Sequence, residues 1–209
     1  MRKVLFSGCL VLLLAQVVFA QERIEAPTWR VGDKWAFSQG MTAEVIAAGR
    51  EGYTVRLSNE RIVFDTSTLN RTFRLVPGKR EPYKDSQRRL FDFPLVIGKR
   101  WKDKYSAVLK WEDTYSSRTT GPILGEETII FENYRVLGWE DVEVRAGQFK
   151  AIRIEYSREW ISPATGNKEG KAWYWYAPDV KYLVKYQYDK NQMWSKEANW
   201  ELISFDLAK

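Results

Sequence analysis

No histidine occurs in the sequence, and its one cysteine, Cys9, lies close to the first residue. If the chain is cut beyond Cys9, as argued below, a wide range of chemistry is excluded. The remainder cannot form a disulfide, offer a thiol nucleophile, hold zinc through Cys or His, bind haem through His, or build a His-based triad. Long apolar runs are also missing, apart from one at the N-terminus. Nor is there a large excess of one charge: the net value is +6 over 209 residues. So mild a balance does not call for nucleic acid.

The N-terminal run reads as a secretory signal. Arg2 and Lys3 give a short positive start, and an apolar stretch follows from Val4 to Phe19, broken by Ser7, Gly8 and Gln16. Val18-Phe19-Ala20 sets up a cut after Ala20. The stretch falls short of the roughly 20 residues that a spanning helix needs, and Gln21-Glu22-Arg23 follows at once. Leu5-Phe6-Ser7-Gly8-Cys9 resembles a lipobox, which would make Cys9 an acylated N-terminus. It departs from that pattern at Phe6 and has almost no apolar run ahead of the cut. We read Cys9 as part of the apolar run. The mature chain is then a single domain from Gln21 to Lys209, periplasmic or secreted, with a net charge of +4 once Arg2 and Lys3 are gone. It is long enough to bury a core without staples.

Alternation fills the mature chain. Ile152, Ile154, Tyr156 and Trp160 fall on one face, with Arg153, Glu155, Ser157 and Glu159 on the other. Val180, Tyr182, Val184, Tyr186 and Tyr188 repeat the pattern against Lys181, Lys185 and Gln187. This is the two-residue period of half-buried strands. Short turns separate the runs: Gly49-Arg50-Glu51-Gly52, Ala146-Gly147, Pro163 to Asn167, Ala177-Pro178-Asp179 and Asp189-Lys190-Asn191. Turns this short join antiparallel neighbours, because parallel strands need long crossovers. The expected fold is all-β: about nine or ten strands in a single antiparallel curved sheet, half-barrel or barrel-like, with little helix. Phe131, Tyr134, Val136, Ile152, Ile154, Tyr156, Trp173 and Trp175 are core candidates, and Pro77 to Arg89 reads as a long exposed loop. Val31-Gly32-Asp33-Lys34-Trp35 is echoed by Ile97-Gly98-Lys99-Arg100-Trp101. A duplication or two equivalent β-corners would account for the echo.

Three segments carry a family resemblance. They are Pro94 to Trp101, Val142 to Ala151, and Trp175 to Val180 with Val184-Lys185. In this order they resemble a broad group of uncharacterised exported bacterial β-proteins with the pattern PLxxGxxW, VxAGxFxA and WYxPxVxxxVK. Arg145 stands where that group often has Pro. The resemblance covers roughly residues 90 to 190. It implies a cell-envelope β-domain, similar to the half-barrels that carry lipoproteins, and it implies no catalytic residues.

Two features invite a functional reading. Trp173, Tyr174, Trp175 and Tyr176 are four consecutive aromatics, and in a strand two must point to each side. They are the candidate surface for a ligand or partner, though aromatics equally fill the interior of a curved sheet. Between Lys79 and Lys104, nine cations face four anions. Of these, Lys79, Arg80, Lys84, Arg88 and Arg89 are candidate contacts to an anionic surface, against the plainer reading of a solvated loop. The carboxylate pairs Glu126-Glu127, Glu140-Asp141 and Glu155 with Glu159 fit chance among 27 acids. A glycosidase needs two acids about 5–10 Å apart in a cleft.

The expectation is a non-catalytic envelope protein without cofactor or metal, binding an apolar or amphipathic ligand or a partner protein. Its partners would be a lipid or an envelope protein, with peripheral membrane contact and no nucleic acid. Alternatives of another class are a carbohydrate-binding or carbohydrate-active protein and a structural subunit of an envelope complex.

Overall fold

The computed structural model describes residues 22–83, 88–108, 127–162, 166–189 and 199–209. Both the leader reading and Cys9 therefore lie outside the described residues. Twelve strands form one sheet: β1 (Lys34–Phe37), β2 (Thr42–Gly49), β3 (Gly52–Leu57), β4 (Glu60–Phe64), β5 (Arg71–Val76) and β6 (Lys79–Pro82), then β7 (Arg100–Val108), β8 (Glu127–Val144), β9 (Gly147–Ser162), β10 (Gly166–Ala177), β11 (Tyr182–Tyr188) and β12 (Trp200–Asp206). A 3-10 turn at Pro178–Val180 joins β10 to β11. The expected curved antiparallel sheet is found, and it is open.

The strand order is β6-β5-β4-β3-β2-β1-β12-β11-β10-β9-β8-β7. The chain enters at the middle of the sheet and steps outward to the β6 edge. It reappears at the opposite edge, β7, and steps back until β12 pairs with β1. Irregular pairing at Ala36/Phe37, Val45/Ala47, Val63/Phe64, Val136/Gly138 and Trp175/Tyr176 marks bulges. Bulges bend a strand and sharpen its twist, which is how a sheet this wide can curve.

One face, called inner here, is lined by rows of residues in register. Val136, Ile154, Tyr174, Tyr186 and Trp200 form a row across β8 to β12. Val45, Val55 and Ile62 form another across β2 to β4, and each is almost wholly buried. Trp29 fills the space between the halves, its ring 5.2–5.6 Å from those of Trp35, Tyr53, Phe64 and Tyr182. Its indole N–H donates to the Lys181 carbonyl at 3.0 Å, so the polar edge of a buried ring is satisfied.

Of the core candidates, Tyr134, Val136, Ile152, Ile154, Tyr156 and Trp175 are buried. Phe131 and Trp173 are not; both lie half-buried on the outer face. Strand parity explains Phe131, because Ile130, Glu132, Tyr134 and Val136 point inward along β8 and leave Phe131 outside. A second correction concerns residues 77–89. Lys79–Pro82 form β6, paired with β5, and Arg88 reaches the protein interior. The sequence could not show this, because charge there marks ion pairing within the fold rather than solvation.

The two echoing segments are equivalent corners. Gly32 and Gly98 both adopt positive φ, at 99° and 85°. Their amides bond to Val45 O at 2.8 Å and Val136 O at 2.9 Å. Each corner starts a strand with a buried Trp whose N–H donates to a carbonyl: Trp35 to Val180 at 2.9 Å and Trp101 to Arg89 at 3.0 Å.

The Gly49 to Gly52 turn joins β2 and β3 as a hairpin. Gly52 has φ of 125°, and a Cβ there would lie 2.2 Å from the Phe64 carbonyl oxygen, whereas Gly49 has open space around it. Gly52→Ala should therefore cost about 1–3 kcal/mol, visible as a thermal midpoint several degrees lower. Gly49→Ala should change little. Equal midpoints for the two variants would contradict the turn geometry.

Candidate functional site

Since β6 and β7 are the two edges, the connection between them, described over residues 88–99, must cross the sheet. It does so over the inner face. Leu90 N–H bonds to the Asn70 side chain at 3.2 Å near one edge, and Gly98 N–H to Val136 O at 2.9 Å near the other. Between these points Phe91 and Leu95 are fully buried. Phe91 and Phe93 meet the Tyr176 ring edge-on at 5.5 and 5.8 Å. Leu95 also pairs with Ile24 through an isolated bridge. The connection thus acts as a strap across the inner face.

Three acids are buried among the described residues: Asp33, Asp103 and Glu132. Burying a carboxylate costs several kcal/mol unless charge and hydrogen bonds answer it. Asp33 is answered by Lys181 Nζ at 3.2 Å and by the Arg30 and Ala208 amides at 2.9 and 2.8 Å. Asp103 is answered by the Arg89 amide at 2.6 Å and by its Nε at 2.9 Å. Each of these acids has a single cationic partner.

Glu132 differs. It lies in register with Asp103, Arg158 and Gly170 on the inner face, fully buried. Arg88 reaches it from the strap, its Nε donating to Oε2 at 2.9 Å. Arg158 donates from β9 to Oε1 at 2.8 Å. The hydroxyls of Tyr134 and Tyr156 donate at 2.7 Å each, and that of Tyr105 at 3.1 Å. Arg88 also donates to the hydroxyls of Tyr134 and Tyr174, at 3.2 and 3.3 Å. One carboxylate therefore faces two guanidiniums within a ring of tyrosines.

The electrostatics follow from this count. Burial by itself would raise the Glu132 carboxyl, but Arg88, Arg158 and the Tyr156 and Tyr134 hydroxyls outweigh it and hold the group below its usual range. Burial pushes the Tyr134 and Tyr156 hydroxyls well above the ordinary phenol value, against the pull of Arg88. They remain protonated donors at physiological pH.

The four consecutive aromatics divide between the faces. Tyr174 and Tyr176 point inward, toward Arg88 and the strap. Trp173 and Trp175 point outward and lie under cations: Arg153 is 5.1 Å from the first ring centroid and 5.3 Å from the second. Lys171 covers Trp173 at 5.6 Å and Lys185 covers Trp175 at 5.3 Å. Glu140 ties the group together, accepting from Trp175 Nε1 at 2.8 Å and from Arg153 at 2.9 Å. Under these long cationic side chains Trp173 is half-buried and Trp175 buried, an arrangement of attractive cation–π contacts.

The five candidate surface cations likewise separate. Lys79 pairs with Glu81 at 2.6 Å, and Arg80 with Glu51 at 2.6 Å while lying over Phe73. Arg88 and Arg89 turn inward to Glu132 and Asp103. Lys84 lies outside the described residues, as does Glu126 of the carboxylate pairs. Glu155 pairs with Lys171 at 2.6 Å.

Sequence reasoning passed over Glu132 and Arg158. Both break the alternation in a readable way, since each is a charged residue at an inward-pointing position: Glu132 between Ile130 and Tyr134, Arg158 between Tyr156 and Trp160. A charge at an apolar position of each of two neighbouring strands is the available signal for a buried pair. Arg88 gave no such signal, because its inward turn depends on the strap.

A family model described as DUF3108-like matches residues 103–197. That span begins within β7 and takes in Glu132, Tyr156, Arg158 and Tyr174, but not Arg88. No curated protein matches the chain. Among solved structures, the hypothetical lipoprotein YmcC from Escherichia coli is similar at 10% identity, with 85% of this chain and 84% of that one covered and a TM-score of 0.46. A Parabacteroides distasonis chain provisionally described as a lipoprotein is similar at 16% identity, over 89% of this chain and 100% of that one, with a TM-score of 0.43. A Bacteroides fragilis chain provisionally described as an exported protein with a YmcC-like fold is similar at 14% identity, over 88% and 99%, with a TM-score of 0.38.

Glu132→Gln should destabilise the protein by about 3 kcal/mol, the lower end of the range for breaking a buried pair, since both arginines keep some exposure. Because the folded carboxyl is held low, its contribution is fully present above the unfolded value of about 4.3. It is lost as the pH falls through the lower folded value. Thermal midpoints from pH 7 to 3 should show wild type and variant converging below about pH 4.3. A gap that stays constant with pH would contradict the assignment.

Proposed function

We propose that this chain is an exported, non-catalytic protein of the bacterial cell envelope that holds an amphipathic ligand on the inner face of its open sheet. The observation that carries this reading is the polar centre of the inner face: Tyr105, Tyr134, Tyr156 and Tyr174 surround Arg88, Glu132 and Arg158, and the two arginines keep part of their surface exposed. Apolar rings beside a small number of placed polar groups are the usual composition of a small-molecule site. The leader pattern from Arg2 to Ala20 supports export. The pairing of each buried acid with arginine or lysine supports a binding role over hydrolysis, and the cations over Trp173 and Trp175 weigh against a bare stacking platform for sugars.

Two measurements test the proposal. N-terminal sequencing of the exported product should begin at Gln21; an acylated chain beginning at Cys9 would replace the secreted form with a lipoprotein. Native mass spectrometry of protein purified from its own cells should show an added mass that organic extraction removes and identifies as an acyl-chain compound. Protein that carries no such mass, and that fails to bind any long-chain amphiphile in a tryptophan fluorescence titration, would overturn the ligand reading.

A further inference from the structure

The polar centre carries more positive charge than its own acids cancel. Along the row Asp103, Glu132 and Arg158, with Arg88 and Arg89 entering from the strap, three guanidiniums meet two carboxylates. Arg89 is committed to Asp103 through its Nε and its amide. The surplus therefore falls on Arg88 and Arg158, which flank the two oxygens of Glu132. Glu132 has no exposure at all, whereas the side chains of Arg88 and Arg158 keep 23% and 17%. The members of the cluster that reach outward are thus its two cations.

The surroundings suit a chain attached to an anion. Both guanidiniums lie over the Tyr156 ring, at 5.3 and 5.8 Å, and Arg158 also lies 5.3 Å from the half-buried Trp160. Opposite, the Trp160 ring and the Tyr188 hydroxyl pack directly over Gly170, where a Cβ would sit 3.2 and 3.1 Å from them. Guanidiniums with tyrosine hydroxyls recognise planar or tetrahedral oxyanions through paired, charge-assisted hydrogen bonds.

We infer that Arg88 and Arg158 form the head-group subsite for a ligand whose apolar chain ends in an oxyanion, either a carboxylate or a phosphate. The subsite rests on the proposed amphiphile-binding role and adds its charge class. In the unliganded protein Glu132 holds both arginines in place and supplies half of the negative charge they need. The ligand supplies the other half.

The test uses the full mature protein and tryptophan fluorescence titrations with oleate, a lysophosphatidic acid and the uncharged monoolein. Oleate or lysophosphatidic acid should bind about tenfold or more tightly than monoolein, and the tighter of the two names the head group. Arg88→Gln should weaken the anionic ligand about tenfold and leave monoolein unchanged. Should Arg88→Gln fail to fold, Arg158→Gln takes its place. Glu132→Gln, which removes the internal competitor, should keep or tighten anion binding and regain thermal stability when oleate is added. A purely structural cluster would show neither gain. Equal binding of monoolein and both anions, or an Arg88→Gln protein that binds oleate like wild type, would overturn the subsite and leave the amphiphile reading standing. Failure of all three ligands to bind would overturn that reading itself.

Discussion

The strand order imposes one constraint from which most of the molecule follows: a chain that begins in mid-sheet must travel from one edge to the other. Within β1 to β6 and within β7 to β12 each strand pairs antiparallel with the next in sequence, so the crossing falls to the connection between β6 and β7. Residues 88–99 lie over the inner face, and they bring to that face groups that no strand contributes. Phe91 and Leu95 add apolar burial, Arg89 closes on Asp103, and Arg88 arrives beside Glu132. Without the strap, Glu132 would face Arg158 alone and Asp103 would lose its cation, leaving the centre with one guanidinium against two carboxylates.

That dependence gives the polar centre its energetic character. A fully buried carboxylate is stabilised only if its partners outweigh the loss of hydration. Here three hydroxyls and two guanidiniums do so, from three different strands and the strap. The strand-borne partners are also held by the sheet register, since Tyr134 lies opposite Tyr156 and Glu132 opposite Arg158. Trp101 stacks on Tyr134 with centroids 5.0 Å apart and planes 7° from parallel, which fixes that ring from the other side. Register, stacking and charge therefore define one geometry, and its residual positive charge is a consequence of the crossing.

Much of the fold could be read from residue order. Alternation in β9 and β11, the Gly49 to Gly52 hairpin and the paired corners at Trp35 and Trp101 depend on neighbours a few positions away. The errors have physical causes. Phe131 was placed in the core by its type, but parity along β8 sends it outward. The lack of a regular pattern from Pro77 to Arg89 points to a long exposed loop, yet Lys79 and Arg80 sit in β6 and pair with Glu81 and Glu51, and Arg88 is turned inward. Hydrophobicity ranks residue types; it does not say where a long cationic side chain finds its anion.

Residue order alone decided the local and the excluded: pleated strands from a two-residue period, turns at glycine, no imidazole chemistry, and no thiol other than Cys9. Those properties need only covalent geometry and the identity of adjacent residues. The partners of Glu132 were decided by tertiary structure alone. Arg88 is separated from it by 44 positions and Arg158 by 26, and their meeting depends on which strands form the edges and which face the connection crosses. Such contacts between distant residues are set by strand pairing across the whole sheet, and no local pattern encodes them.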